Sequence, residues 1–244
     1  MRLLRHLLAI ASFGLIAATA TAGAAPADPK NGADYLTLSQ AQQTDSGKKI
    51  EVTEFFGYFC PHCNAFDPLL TDWVKKQGDH IAFKRVHIAF GEAMVPQQRL
   101  FYTIEAMGKT EELHKKIFNA IHLERKSLNT DAEIIDFVAK QGVDKQKFTE
   151  IFNSFGVQTK ALRAAQMQAA YKIDGVPTIA IDGRYITSPS IANNAMPRGQ
   201  NEAAMQVAAL QVMDFLVAKA GKEHGAEVKP AAVSSSVKPV VKKQ

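Results

Sequence analysis

One stretch constrains this chain more than any other. Residues 50–59 are a β-branched and aromatic run of strand length. A helical pattern follows directly, with Phe66, Leu69, Leu70, Trp73 and Val74 at helix spacing. Pro68 inside it predicts a kink, and Gly78 ends it. A second strand is expected over residues 81–90. Strand, helix, strand is a βαβ unit, so the two strands must run parallel and the crossover must be right-handed.

The rest of the chain is read around that unit. Residues 97–170 are all-helical: Leu100, Ile104 and Met107 share one helical face, as do Leu113, Ile117 and Ile121. Thr130-Asp131-Ala132-Glu133 is a capping box ahead of Ile134, Ile135 and Val138, and Gly108 and Gly142 sit where helices should stop. Strand character returns over residues 176–187. There Ile179-Ala180-Ile181, Asp182-Gly183 and Arg184-Tyr185-Ile186 spell a hairpin. A last helix is expected over residues 202–220, with Val207, Leu210, Met213, Leu216 and Val217 on one side. No internal repeat is visible. The order βαβ, helices, ββα describes an α/β protein with a mixed sheet split by a helical insertion.

The formal charge of +5 does not make this a nucleic-acid binder. Residues 1–24 hold Arg2 and Arg5 and no acid, and residues 221–244 hold five Lys and two Glu. The 196 residues between are therefore neutral overall and offer no net field to a phosphate backbone. Residues 1–24 read as a cleaved secretory signal: two arginines, an apolar run over residues 7–18, then small residues ending at Ala24. That run is shorter than the ~20 residues that span a bilayer, and no later segment is expected to span one. Residues 221–244, with Pro230, Pro239 and three consecutive serines, read as a disordered basic tail. The mature protein is expected in a disulfide-permissive compartment, the bacterial periplasm.

The chain has two cysteines, in Cys60-Pro61-His62-Cys63 at the junction of the first strand and first helix. A helix start presents unpaired N–H groups and partial positive charge, which stabilise a thiolate on Cys60. Cys63, about one turn in, gains less. Pro61 is tolerated in the first turn, and His62 adds a positive charge and N–H donors beside the sulfur. Four other readings compete. A zinc site needs about four ligands, and no second Cys pair exists. Haem attachment needs His after the second Cys, where Asn64 stands. A structural disulfide would close too small a loop to stabilise much. Two inert thiols would be an odd use of a strand–helix junction. Redox chemistry is the reading favoured by C-x-x-C in a βαβ context of an exported chain.

These residues, with Glu54-Phe55-Phe56 leading into Phe59-Cys60-Pro61-His62-Cys63, resemble the DsbA family of periplasmic thiol:disulfide oxidoreductases. Gly175-Val176-Pro177-Thr178 resembles that family's cis-proline loop, and Asn153-Ser154-Phe155, ahead of an Ala/Gln-rich helix, also resembles the family. The likeness covers about residues 35–220. It implies a thioredoxin fold with an inserted all-helical domain: 25–97 and 168–220 form the thioredoxin-like part and 98–167 the insertion. It implies a cis Val176–Pro177 peptide beside the sulfurs, free to pair with an extended client. It also implies a buried acid–base pair, Glu54 with Lys84, serving the proton of Cys63. No organic cofactor or metal is implied beyond the Cys60–Cys63 disulfide. The implied partners are exported proteins with free cysteines and a DsbB-like quinone-linked reoxidant in the membrane, with the protein itself a monomer. The expected activity is donation of a disulfide to clients. A stable Cys60 thiolate stabilises the reduced state, which makes the disulfide a better oxidant.

Three rivals remain at this stage. A reductase or isomerase would share the fold, but only about 25 mature residues precede the first strand, too few for an isomerase's extra module. A periplasmic copper-binding module would use Cys60, Cys63 and a His. A chaperone would bind clients without exchange.

Overall fold

The computed structural model describes residues 28–194 and 196–227. The signal expected at 1–24 and the outer tail, 228–244, lie outside the described residues. Five strands form one sheet: β1 (Leu36–Thr37), β2 (Ile50–Phe56), β3 (Ile81–His87), β4 (Thr178–Ile181) and β5 (Tyr185–Thr187), in the order β1-β5-β4-β2-β3. β2 pairs parallel with β3, from Ile50 opposite Ile81 to Phe56 opposite His87, and antiparallel with β4. The sheet is mixed, as expected. Every residue of β2 is buried, including the polar Glu51, Thr53 and Glu54 among its apolar neighbours.

Helix α1 (Pro61–Gln77) crosses from β2 to β3. Helices α2 (Val95–Ala106), α3 (Thr110–His122), α4 (Asp131–Lys140), α5 (Lys145–Phe152) and α6 (Phe155–Ala170) all lie between β3 and β4 in the chain. A short helix α7 (Pro189–Ala192) leads to the long α8 (Glu202–Glu227). One face of the sheet packs Ile50, Val52, Ile179 and Ile181 against Phe66, Leu70 and Trp73 of α1 and Val212, Met213 and Leu216 of α8. The other face sends Phe55, Val86 and Ala180 into a core shared with Leu100, Ile104, Phe118, Phe148 and Phe152 of the helical block.

Three boundaries differ from expectation. β2 ends at Phe56 and not at residue 59, because the Cys60 N–H closes a turn onto the Gly57 carbonyl at 3.1 Å and aims the chain into α1. β3 likewise ends at His87, short of residue 90. The expected tail also starts too early, since α8 continues helically through 221–227. Those turns have partners that hydrophobic periodicity does not register. Glu223 accepts the Tyr185 hydroxyl at 2.7 Å and pairs with Lys219 at 2.6 Å, and His224 meets Asp182 at 2.9 Å. Helix α8 is also long and apolar enough by composition to cross a membrane, contrary to expectation. Its apolarity goes into the sheet, where Ala208, Ala209, Val212, Met213 and Leu216 are fully buried.

Candidate active site

Cys60 is the N-cap of α1, in extended conformation (φ −88°, ψ 115°), with Pro61 in the first turn. Its sulfur accepts the Cys63 backbone N–H at 3.3 Å, one of the four donors that a helix start leaves without intrahelical partners. Both cysteines are free thiols in this structure. Cys60 keeps a sliver of exposure at 6%, while Cys63 has none.

That difference separates the two sulfurs chemically. The Cys60 thiol is pushed down to about 6. The hydrogen bond from the Cys63 thiol is the largest cause, burial opposes it, and the backbone N–H groups of Cys63 and His62 and the His62 charge add to it. Cys63 moves the other way, well above the ordinary thiol range. Burial is the main cause, followed by its bond to Cys60 and the negative charges of Cys60 and Glu54. One sulfur is a stable thiolate and good leaving group, and its partner holds its proton.

The loop ahead of β4 closes the site from the other side. The Val176–Pro177 peptide is cis, as the resemblance implies. The Val176 carbonyl accepts the Cys60 thiol at 3.3 Å. Val176 and Pro177 are therefore at the sulfur although 116 residues separate Val176 from Cys60.

Below the sulfurs, Glu54 is buried on the α1 face of β2. Burial raises its carboxyl to about 7 against the opposing pull of Arg85. Its partner is not Lys84. In the parallel register Glu54 stands opposite Arg85, whose Nε donates to Glu54 Oε2 at 2.8 Å, and Lys84 stands opposite Thr53. Successive side chains of a strand point to opposite faces, so Lys84 lies across the sheet from Glu54. There it binds Glu51 at 2.8 Å and also Asp45. The expected Glu54–Lys84 pair is corrected to Glu54–Arg85, and Lys84 is a half-exposed residue of the far face.

Arg85 extends the buried cluster. It reaches Asp67 of α1 at 2.9 Å, Asp67 meets His114 of α3 at 3.2 Å, and His114 meets the Tyr58 hydroxyl at 2.9 Å. These residues were not singled out from the sequence as a site. Asp67 carried a usable signal, as an acid at a buried position of an amphipathic helix beside Phe66 and Leu70. His114 has a partner at each ring nitrogen. His87 accepts the Tyr58 N–H at 3.0 Å but has no partner among the described residues at its buried Nδ1, and burial pushes it down to about 3. A further contact was unforeseen. His62, an exposed member of the motif, lies 2.7 Å from Glu202 of α8 through its Nδ1.

Comparison with known proteins places this geometry. The family model for the DSBA-like thioredoxin domain matches residues 51–196. The thiol:disulfide interchange protein DsbA of Burkholderia cepacia is 41% identical over 215 residues, covering 88% of this chain and 96% of that protein. DsbA of Pseudomonas aeruginosa strain PAO1 is 38% identical over 183 residues, covering 75% and 84%. Among solved structures, the crystal structure of Pseudomonas aeruginosa DsbA superposes with a TM-score of 0.72 at 33% identity, covering 82% of this chain and 97% of that one.

Proposed function

This chain belongs to the DsbA-like thioredoxin-domain family, and from that premise we propose how its own residues carry the family's exchange reaction. It is a thiol:disulfide oxidoreductase with a thioredoxin-like fold, and it acts by interchange with client thiols. The working group is a Cys60–Cys63 disulfide. A client thiolate attacks Cys60, the less buried sulfur. The Cys60–Cys63 bond breaks and its electron pair goes to Cys63. A second client thiolate attacks the client sulfur of the mixed disulfide, and Cys60 leaves as a thiolate. The client loses two electrons as its disulfide forms, and the enzyme gains them as a dithiol.

Each neighbour has a role in this proposal. The start of α1 aims the His62 and Cys63 N–H groups at Cys60, Pro61 opens the helix without an N–H of its own, and His62 adds positive charge. The Val176–Pro177 segment holds an extended client beside the sulfur. Glu54 supplies the proton that the departing Cys63 needs, because its charge acts on Cys63 and its carboxyl titrates at about 7. Lys84 takes no part. The division into a discontinuous thioredoxin part and a helical insertion, the periplasmic location after removal of 1–24, the monomeric state, the absence of any added cofactor and reoxidation by a DsbB-like membrane partner belong to the same proposal.

The observation that carries this reading is the opposite displacement of two thiols one helical turn apart. Replacing each in turn tests it. Cys60→Ser should abolish client oxidation, and Cys63→Ser, whose Cys60 thiolate can still attack a client disulfide but has no Cys63 to release the client, should accumulate mixed disulfides visible on non-reducing gels. Full oxidase activity in Cys60→Ser would overturn the mechanism.

A further inference from the structure

His62 makes one contact that the exchange steps do not need. Its side chain is 68% exposed, yet its Nδ1 is 2.7 Å from Glu202 Oε1, across 140 residues of sequence. The carboxylate is itself held. Gln206, buried one turn further along α8, donates to Glu202 Oε1 at 3.4 Å. Asn201 caps that helix start by accepting the Ala204 N–H at 2.9 Å. The chain Gln206, Glu202, His62 thus links the first turn of α8 to the first turn of α1.

Two titratable groups act on the imidazole: Glu202 from α8, and Cys60 from its own helix. Both favour the charged ring, and its slight burial opposes them. A free imidazole titrates near ~6.5 and is mostly neutral at pH 7. Paired with a carboxylate, it stays cationic to higher pH. The carboxylate also brings negative charge toward the thiolate. That repulsion is the smaller effect, because the cation shares a helical turn with the sulfur and Glu202 sits on another helix, at the Nδ1 edge of the ring.

We propose that Glu202 is a positioning residue for the exchange reaction: it holds His62 in place as a cation beside Cys60, and so sets the pH range over which the disulfide oxidises. This rests on the exchange reading of Cys60 given above. Reduction by glutathione converts the disulfide and two glutathione thiols into one thiolate, one thiol, glutathione disulfide and a released proton.

The test compares wild type with Glu202→Gln and Glu202→Ala, all as full mature protein. Proton NMR follows the His62 ring against pH, and thiol counting in glutathione buffers gives the redox equilibrium constant. In both variants His62 should titrate at lower pH. At pH 7 the equilibrium should shift about two- to fivefold toward the disulfide form, the scale of a half-exposed charge pair. The gap should close at pH 5, where His62 is charged in all three proteins. In a His62→Ala background, Glu202→Gln should no longer shift the constant toward the disulfide form. An unmoved His62 titration, an equal constant at pH 7, or the same shift without His62 would each overturn the proposal. If wild type fails to oxidise a reduced client protein, it is the exchange reading that fails. If wild type succeeds and Glu202→Gln matches it, only the role of Glu202 fails.

Discussion

The two sulfurs of one motif differ because one side chain caps a helix and the other is enclosed one turn later. That much was legible in the spacing of Cys60 and Cys63. The proton partner was legible only in half. Glu54 stood out as an acid in an apolar strand, but its mate follows from register, which a single sequence does not state. Lys84 and Arg85 are adjacent, and the pleat sends them to opposite faces. A pH dependence follows at this scale. Cys60 titrates at about 6 in the fold against an ordinary 9.0, so between those values the unfolded chain holds a proton that the native one has released. Stability of the reduced protein therefore rises across that window and is lost as pH falls through about 6. Cys63, displaced above 9.0, opposes this only above the window. Glu54, raised from 4.5 to about 7, makes stability fall with pH between those values; burial, its main cause, is independent of the thiols, and the Cys60 charge is the last of its causes. The difference in thermal midpoint between reduced and oxidised protein isolates the thiols. It should widen in favour of the reduced form from pH 6 to pH 8, as followed by circular dichroism. A constant difference over that range would mean that Cys60 is an ordinary thiol.

Elements were read best where local chemistry defines them. The Thr130–Glu133 capping box forms, with Glu133 N–H to Thr130 Oγ1 at 3.3 Å and Thr130 N–H to Glu133 Oε2 at 3.2 Å. The Asp182-Gly183 turn forms with φ 55° and 63°, the left-handed pair that a tight hairpin requires. The strand β1 went unread, since two exposed residues, Leu36 and Thr37, carry no pattern and acquire strand geometry only by pairing with β5. The end of α8 was misread for a related reason: Glu223 and His224 are held by Tyr185 and Asp182 of the hairpin, not by an apolar stripe. Gly183 joins these parts. A Cβ there would stand 2.2 Å from the Gln42 carbonyl oxygen, which belongs to the loop before β2. Gly183→Ala combines that clash with a left-handed backbone, so it should destabilise the fold by about 1–3 kcal/mol. An unchanged urea midpoint would show that the loop yields freely.

The whole molecule is two packed cores meeting at β2, with the redox pair where that strand delivers the chain into α1. Composition and element order indicated a sheet interrupted by helices, and they did so because the helical block has its own apolar stripes. What they withheld is the buried polar chain through Glu54, Arg85, Asp67, His114 and Tyr58, which crosses from the sheet to α3. Its members are scattered over 61 residues and meet only in the fold. The same holds for Val176, Pro177 and Glu202, which reach the motif from the far end of the chain. All of these surroundings bear on one quantity, the relative stability of the dithiol and the disulfide. The most direct measurement is the reduction potential of Cys60–Cys63, by equilibrating the mature protein in glutathione buffers and counting free thiols by alkylation and mass. The account predicts a potential well above the ~−270 mV of thioredoxin, that of a disulfide donor. A value at or below thioredoxin's would contradict it, for then the helix start and His62 would not stabilise the Cys60 thiolate, and the protein would work as a reductant.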